Sequence, residues 1–351
     1  MGMARPQTRR VSASVESVIR AVSAAPAQPV TVTEFGAELA RQVGRLLPHD
    51  GYQIRGLDPG TGVGCLVIAE NGYRAATARR LELNEYGGRD LHSLASLVGG
   101  RRVGVLGSGE PEERRSERLH DIMAGEGFGA EMRVALTDAG ITRGTLTLLR
   151  GRDCRAFSAA EAAHAERLAT PLAVALRRYV ARRPPRPFGD HAAPGVVVVE
   201  ADDTVRATAA TRAWFGTLVP EPDADDDALF GNLWNIVYAA RRHRAEALTR
   251  IPLGGAWLAM RAQPLDDAEP GAVTVTIQPA SADTLLPALA AWYALTPSER
   301  KVLGQVRLGL PGKQIATRLG VSPHTVNDHL KSIYRKTGVG ARDELLAALS
   351  G

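Results

Sequence analysis

The chain has 351 residues, which at about 150 residues per domain predicts two or three domains. With 44% hydrophobic and 23% charged residues it has the composition of a globular protein, which excludes wholesale disorder. Its net charge is +5, and its two cysteines are too few for a disulfide framework. No apolar run approaches the roughly 18 residues of a membrane helix. These features predict a soluble, cytoplasmic protein without membrane contact.

The first part of the chain has the pattern of an α+β module preceded by a tail. Residues 1–29 form the tail, with valines at helical spacing. Within residues 30–181, the front module, capping boxes at Thr31 and Ser158 predict a helix near the start and a long helix at the end. Strand patterns lie between them, and the turn-rich Asp58–Gly62 joins the first two strands. The order helix, antiparallel strands, closing helix is typical of an α+β fold.

A proline-rich linker at 182–194 leads into a second α+β module at 195–280, the middle module. Within it, the acidic segment 221–227 has no apolar period and is predicted to be a solvated loop, followed by a helix at about 228–247. Residues 281–294 are predicted to form a helix that connects the middle module to the C-terminal domain.

Few residues in these two modules indicate cofactor chemistry. Three tryptophans are predicted to pack the core of the middle module, Trp214, Trp234 and Trp257. Trp257 is also a candidate for the wall of a small-molecule pocket. Cys154, in a predicted loop, is a candidate redox sensor, and the histidines show no metal-ligand spacing. No cofactor and no metal are predicted.

The last 57 residues, 295–351, carry the pattern of a helix-turn-helix domain. Thr296 opens a capping box with proline at the first helical position. A short helix at 313–319, a tight turn at Gly320–Ser322 and a longer helix at 323–337 follow. The segment 284–351 carries a net charge of +5. Because nucleic acids are polyanions, this basic end of the chain is where we expect nucleic acid binding.

The longer helix has two chemically different faces. Val326, Leu330 and Ile333 recur at helical spacing and are predicted to enter a small core. On the opposite face, Asn can bind adenine, Lys can bind guanine, and Asp can accept a hydrogen bond from cytosine. The candidate base-reading residues are His324, Asn327, Asp328 and Lys331, and the candidate phosphate contacts are Lys313, Ser322, Thr325, Arg335 and Lys336.

Lysine is restricted to this domain: Lys301, Lys313, Lys331 and Lys336 are the four lysines of the chain. The first 300 residues therefore lack the lysine that P-loop ATPases, protein kinases and pyridoxal-phosphate enzymes require. No other catalytic constellation is visible, so the chain is predicted not to be an enzyme.

The segment from Leu295 to Leu349, with LTPSE, KQIATRLGVS and HTVNDHLKSIYRKTGV, resembles the LuxR-type (NarL/FixJ-type) DNA-binding domain of bacterial transcription factors. The resemblance implies an all-α four-helix domain, and it places the family's base-reading positions on Asn327, Asp328 and Lys331. It also implies a dimer interface on the fourth helix, whose apolar strip here is Leu345, Leu346 and Leu349.

The two preceding modules are similar to known sensory domains. The front module is similar to a GAF domain in its element order, its hairpin loop DPGTG and the strand ITRGTLTLLR before a long closing helix, and the middle module is similar to a PAS domain. The whole arrangement resembles the GAF-plus-LuxR regulators of actinobacteria. The resemblance implies a multidomain chain, with two α+β modules followed by the all-α four-helix domain.

These observations predict a homodimeric, sequence-specific regulator of transcription that binds double-stranded DNA and is controlled by its N-terminal modules, with RNA polymerase as a possible partner. The ligand of the GAF-like module is not identified by the sequence. The main alternative is a ligand-binding or protein-interaction adaptor whose helix-turn-helix no longer reads DNA, because Asp328 places a negative charge on the reading face. An enzyme in the N-terminal half and a sigma factor are weaker alternatives.

Overall fold

A computed structural model describes residues 14–24, 31–188, 193–219, 225–265 and 271–349. Both ends of the predicted tail, part of the predicted linker and most of the acidic segment lie outside the described residues. In the described part of the chain, no helix combines the length and the apolar character needed to cross a membrane.

The front module places helices on both faces of an antiparallel sheet with strand order β2-β1-β5-β4-β3. Its elements are α1 (Val15–Ser23), α2 (Val32–Gly44), β1 (Gly51–Leu57), β2 (Gly64–Glu70), α3 (Ala78–Tyr86), α4 (Leu94–Gly99), β3 (Val103–Leu106), β4 (Phe128–Asp138), β5 (Ile141–Gly151) and α5 (Ala159–Val180). The predicted capping boxes at Thr31 and Ser158 are confirmed at the starts of α2 and α5. Helix α5 runs without interruption through Pro171.

The two faces of this sheet differ because side chains alternate along each strand. On β4, Met132 and Val134 enter the apolar core shared with α1, α2 and α5. The neighbouring Glu131 and Arg133 are also buried, but they form ion pairs beneath α3. The helices α3 and α4, which have no strong apolar period in the sequence, thus cover a polar face of the sheet.

The middle module is a second antiparallel sheet with strand order β7-β6-β10-β9-β8. Its elements are β6 (Gly195–Val199), β7 (Val205–Ala207), α6 (Ala209–Leu218), α7 (Asp226–Phe230), α8 (Leu233–His243), β8 (Ala247–Leu253), β9 (Ala256–Pro264) and β10 (Val273–Pro279). Trp214 and Trp234 lie in its core, as predicted. Trp257 is equally buried, but it joins the core of the front module and the C-terminal domain.

Two details of the middle module correct the sequence predictions. The end of the acidic segment is not a loop: the Asp225 side chain accepts a hydrogen bond from the backbone N–H of Ala228 at 2.8 Å and caps α7. Aspartates in the first turn favour a helix there because they face the positive end of its dipole. The single helix predicted at 228–247 is two helices, α7 and α8, and Ala247 already belongs to β8.

The connecting helix and the C-terminal domain are entirely helical. Their elements are α9 (Ala282–Trp292), α10 (Pro297–Arg307), α11 (Gly312–Leu319), α12 (Pro323–Thr337) and α13 (Arg342–Leu349). Helix α9 packs against α5 and β9 on one side and against α10 and α13 on the other. Trp292 at its end is fully buried, and one continuous apolar core runs from the front module into the C-terminal domain.

The front and middle modules meet through buried polar groups, which we call the front–middle interface. Asp58, in the predicted hairpin loop, forms an ion pair with Arg250 of β8 at 2.8 Å, and neither side chain is more than 7% exposed. Arg250 Nε also donates a hydrogen bond to the carbonyl of Thr284 in α9. Asn235 of α8 donates to the carboxylate of Glu82 at 2.8 Å.

Candidate DNA-binding site

The turn between α11 and α12 fixes the angle of the two helices. Gly320 ends α11 with φ of 66°, a left-handed conformation that glycine adopts without strain. Two residues later, Ser322 caps α12 by accepting a hydrogen bond from the backbone N–H of Thr325 at 3.0 Å, and Pro323 takes the first helical position. This short connection is the geometry of a helix-turn-helix motif.

The two predicted faces of α12 are confirmed. Val326 and Ile333 are buried against α10 and α11, and Leu330 is partly buried beside them. The opposite face, which we call the reading face, is exposed and consists of His324, Asn327, Asp328, Lys331 and Arg335. No described residue of the front or middle module covers these side chains, so a duplex could approach them in this arrangement.

The negative charge on the reading face has a local partner. His324 Nδ1 lies 3.1 Å from the Asp328 carboxylate, one helical turn away. Both side chains are more than half exposed, so the contact is open to water and to competing groups. Asp328 is therefore available to a base, although the His324 ring lies beside it.

Four of the five candidate phosphate contacts lie at the surface of the C-terminal domain. Lys313, Ser322 and Arg335 are exposed, and Thr325 is partly exposed in the first turn of α12. Lys313 lies in the first turn of α11, and Ser322 and Thr325 lie at the N-terminal end of α12, where free backbone N–H groups favour an anion.

Lys336 lies differently from the other candidates. Its ammonium group is 2.7 Å from the Glu299 carboxylate and donates a hydrogen bond to the Ala294 carbonyl at 3.0 Å. Burial opposes ionisation of Glu299, but the hydrogen bonds from Lys336 and from the Thr296 N–H outweigh it and lower the pKa of Glu299 to about 2. Lys336 thus links α12 to the capping box of α10, and its predicted phosphate contact stays a prediction.

The predicted dimer strip is largely occupied by the chain's own core. Leu345 and Leu349 are 0% and 2% exposed and pack within the C-terminal domain, and Leu346 is partly buried. In this arrangement two of the three leucines cannot contact a second copy, because they already cover α9 and α10. Helix α13 itself does form, and the Glu344 carboxylate accepts a hydrogen bond from the Gly340 N–H at 2.6 Å at its start.

The sequence comparisons with known proteins concern the C-terminal domain. Residues 293–348 match the family model described as bacterial regulatory proteins, luxR family. A Mycobacterium tuberculosis protein named as an HTH-type transcriptional regulator, Rv0890c, is 49% identical over 55 residues, which are 16% of this chain and 6% of that protein. The monoamine regulon transcriptional regulator of Klebsiella aerogenes is 45% identical over 53 residues, 15% of this chain and 23% of that protein.

The chain therefore matches only a small part of the length of these relatives. Among solved structures, the bacteriophytochrome RpBphP3 of R. palustris aligns with 76% of this chain and 61% of its own, at 11% identity and a TM-score of 0.31. A TM-score this low does not establish a common fold. The sequence matches and the helical geometry together establish that residues 293–348 form a luxR-type helix-turn-helix domain.

Proposed function

We propose that the protein is a sequence-specific transcriptional regulator that reads the major groove with α12 and is controlled by its front and middle modules. The observation that carries the proposal is the reading face: five polar side chains stand exposed on one side of a capped helix whose other side is anchored in a core. An α-helix fits the major groove, where each base pair presents a distinct pattern of donors and acceptors.

The proposed roles follow from the donors and acceptors of each side chain. Asn327 would form a bidentate contact with adenine, Lys331 would donate to guanine, and Asp328 would accept from cytosine. Lys313 and Arg335 would hold phosphates on either side of these bases, with the hydroxyls of Ser322 and Thr325 at the N-terminal end of α12.

Control by the N-terminal modules is supported by the way the domains are joined. Helix α9 contributes to the front module and to the C-terminal domain at once, so a displacement of one changes the packing of the other. A signal would act only if it bound two such arrangements with different affinities. Since Leu345 and Leu349 are buried here, a homodimer formed through α13 would require a second arrangement in which they are released.

The test is selection of genomic DNA fragments on the full-length protein at two salt concentrations, repeated with the Asn327→Ala/Lys331→Ala variant. Lys301→Ala is the matched control, because Lys301 is an exposed lysine of the same domain on α10. We expect a dyad-symmetric motif with the native chain and the control, and its loss in the double variant. Binding that depends on salt, shows no motif and is unchanged in the double variant would favour the adaptor.

A further inference from the structure

A cavity of about 220 Å³ lies between the front and middle modules. One wall is formed by β2 and the end of α5, and the other by β8, β9 and the start of α8. Cys65 and Trp257 in its lining are buried, whereas Val32 and Arg183 are exposed, so the cavity extends from the core toward solvent. Most of the lining is apolar, which suits a small organic molecule.

Two side chains of the lining have donors without acceptors. The indole N–H of Trp257, a residue 3% exposed, has no hydrogen-bond partner among the described residues. The buried Nε and Nη1 atoms of Arg182 likewise have none. Buried donors are almost always satisfied in folded proteins, so three such atoms beside one cavity indicate a missing acceptor.

Arg182 is also held in place, which a binding residue requires. Its guanidinium group stacks on the Tyr179 ring at 3.9 Å from the centroid, and burial lowers its pKa. Arg55 and Glu82, the other buried charges in the lining, form an ion pair with each other. Among the described residues of the lining, Arg182 and Arg183 therefore contribute an excess positive charge that no carboxylate balances.

The larger groove of the molecule shows the opposite pattern. It measures about 1030 Å³ and lies between the sheet of the front module and helices α3, α4 and α8. Its buried arginines already have carboxylate partners, since Arg118 pairs with Glu131 and Arg133 with Glu85. Unpartnered donors therefore distinguish the smaller cavity.

We propose that this cavity binds a small aromatic carboxylate, with the aromatic ring among the apolar side chains beside Trp257 and the carboxylate on Arg182 and the Trp257 N–H. An arginine donates strong, charge-assisted hydrogen bonds to carboxylates, and an indole in an otherwise apolar lining favours a flat apolar body. The volume limits the ligand to about one or two rings. The proposal extends the sensory role proposed above, but it concerns ligand binding and requires no DNA.

The position of Arg182 explains why such a ligand would matter for the rest of the chain. The carbonyl of the next residue, Arg183, accepts a hydrogen bond from the Tyr293 hydroxyl at 2.6 Å, and Tyr293 directly follows α9. Pro184 lies beside Gly338, which ends α12. The segment 182–184 thus contacts the cavity at one end and the C-terminal domain at the other.

The experiment is calorimetric titration of the full-length protein, without DNA, with benzoate, phenylacetate and indole-3-acetate, and with the neutral amide of each. We expect at least one carboxylate to bind, and its amide to bind at least about tenfold more weakly, because the amide lacks the charge that Arg182 recognises. Binding should also shift the indole N–H resonance of Trp257, which is assigned as the resonance missing from Trp257→Phe.

Matched variants separate this site from nonspecific binding of anions. Arg182→Gln should weaken the carboxylate at least about tenfold. Arg178→Gln removes the same charge from an exposed position near the end of α5 that does not line the cavity, and it should leave the affinity within about twofold. Circular dichroism establishes that each variant is folded. Absence of binding by all three carboxylates, equal binding of acids and amides, or equal losses in the two arginine variants would each overturn the proposal.

Discussion

The two interfaces of the front module are built from different chemistry. The front–middle interface joins buried charged and polar groups, with the Asp58–Arg250 ion pair and the Glu82 carboxylate against the neutral Asn235 amide. The interface with the C-terminal domain, which we call the front–C-terminal interface, is apolar and centred on α9 and Trp292. The buried Arg143 of this interface forms no ion pair with a carboxylate among the described residues: it donates to the Ala291 carbonyl at 2.9 Å and lies over the Trp292 ring.

The difference concerns how much displacement each interface tolerates. A buried ion pair stabilises only one geometry, because a shift leaves a charge without its partner in a region of low dielectric constant. Apolar side chains can repack with smaller losses. We therefore expect the front and middle modules to behave as one unit, and any rearrangement relative to DNA to occur at the front–C-terminal interface.

The largest effect is expected at the front–middle interface. Arg250→Met leaves the fully buried Asp58 carboxylate without its cation and should lower the free energy of unfolding by about 3–5 kcal/mol, measured by urea denaturation. Adding Asp58→Asn should restore part of this loss, since no charge then remains unpaired and the amide oxygen can still accept from the backbone N–H groups that Asp58 binds, those of Gly60 and Arg250.

The control for this variant is Arg212→Met, which breaks the ion pair with Asp226, whose two side chains are 49% and 65% exposed. An exposed pair of this kind contributes about 0–1 kcal/mol. If Arg250→Met cost no more than Arg212→Met, the buried pair would not organise the interface.

The next largest effect is expected in the free energy of DNA binding at the reading face, which we expect to be independent of both interfaces. Lys331→Ala should cost about 1–3 kcal/mol of binding free energy at one base pair of the selected operator and relax the preference there, with unfolding unchanged. The measurement is competition binding with operators substituted at single positions. An equal loss on every sequence would assign Lys331 to a phosphate instead.

A smaller effect is expected at the front–C-terminal interface. Arg143→Met removes one hydrogen bond to a carbonyl and leaves no carboxylate unpaired, so it should cost about 1 kcal/mol in the free energy of unfolding. Burial lowers the pKa of Arg143 to about 10, so the cost of burying its charge offsets part of what the hydrogen bond contributes and keeps the expected loss small. A loss as large as that of Arg250→Met would mean that the two interfaces do not differ as described.

Acidification should affect the front module and the C-terminal domain in the same pH range. Burial opposes ionisation of Glu161 and Glu299, but hydrogen bonds from Arg150 and Lys336 hold the pKa of both carboxyls at about 2, below the ordinary value of 4.5. Ionised carboxylates of lowered pKa stabilise the fold above pH 4.5, and this contribution is lost as the pH falls toward 2.

The measurement is urea denaturation from pH 7 to pH 3. Glu299→Gln should lower stability at pH 7 and make the decline below pH 4.5 shallower, because the variant has no carboxylate to protonate there. An unchanged pH profile would show that Glu299 does not contribute to acid sensitivity.

The features that the sequence predicts well are those that depend on neighbouring residues. The capping boxes, the turn at Gly320 and the two faces of α12 each depend on residues within a few helical turns, and all are confirmed. Local hydrogen bonds and helical periodicity act there without help from the tertiary fold.

Long-range contacts could not be predicted in this way. Asp58 and Arg250 are 192 positions apart, and nothing near Asp58 distinguishes a loop aspartate that is exposed from one that is buried. The tertiary structure also decides that Lys336 faces Glu299 and that Leu345 and Leu349 enter the core. A charged or apolar residue on a helix face has several possible partners, and only the packing selects one.

The restriction of lysine to the C-terminal domain offers a way to measure how this domain moves relative to the rest of the chain. Lys301, Lys313 and Lys331 are exposed on the C-terminal domain, and Lys336 is partly buried in its ion pair. An amine-reactive fluorophore would therefore modify lysine side chains of this domain and leave every side chain of the first 300 residues unmodified. Fluorescence anisotropy of the lysine conjugates would report how freely the C-terminal domain rotates against the remainder of the chain.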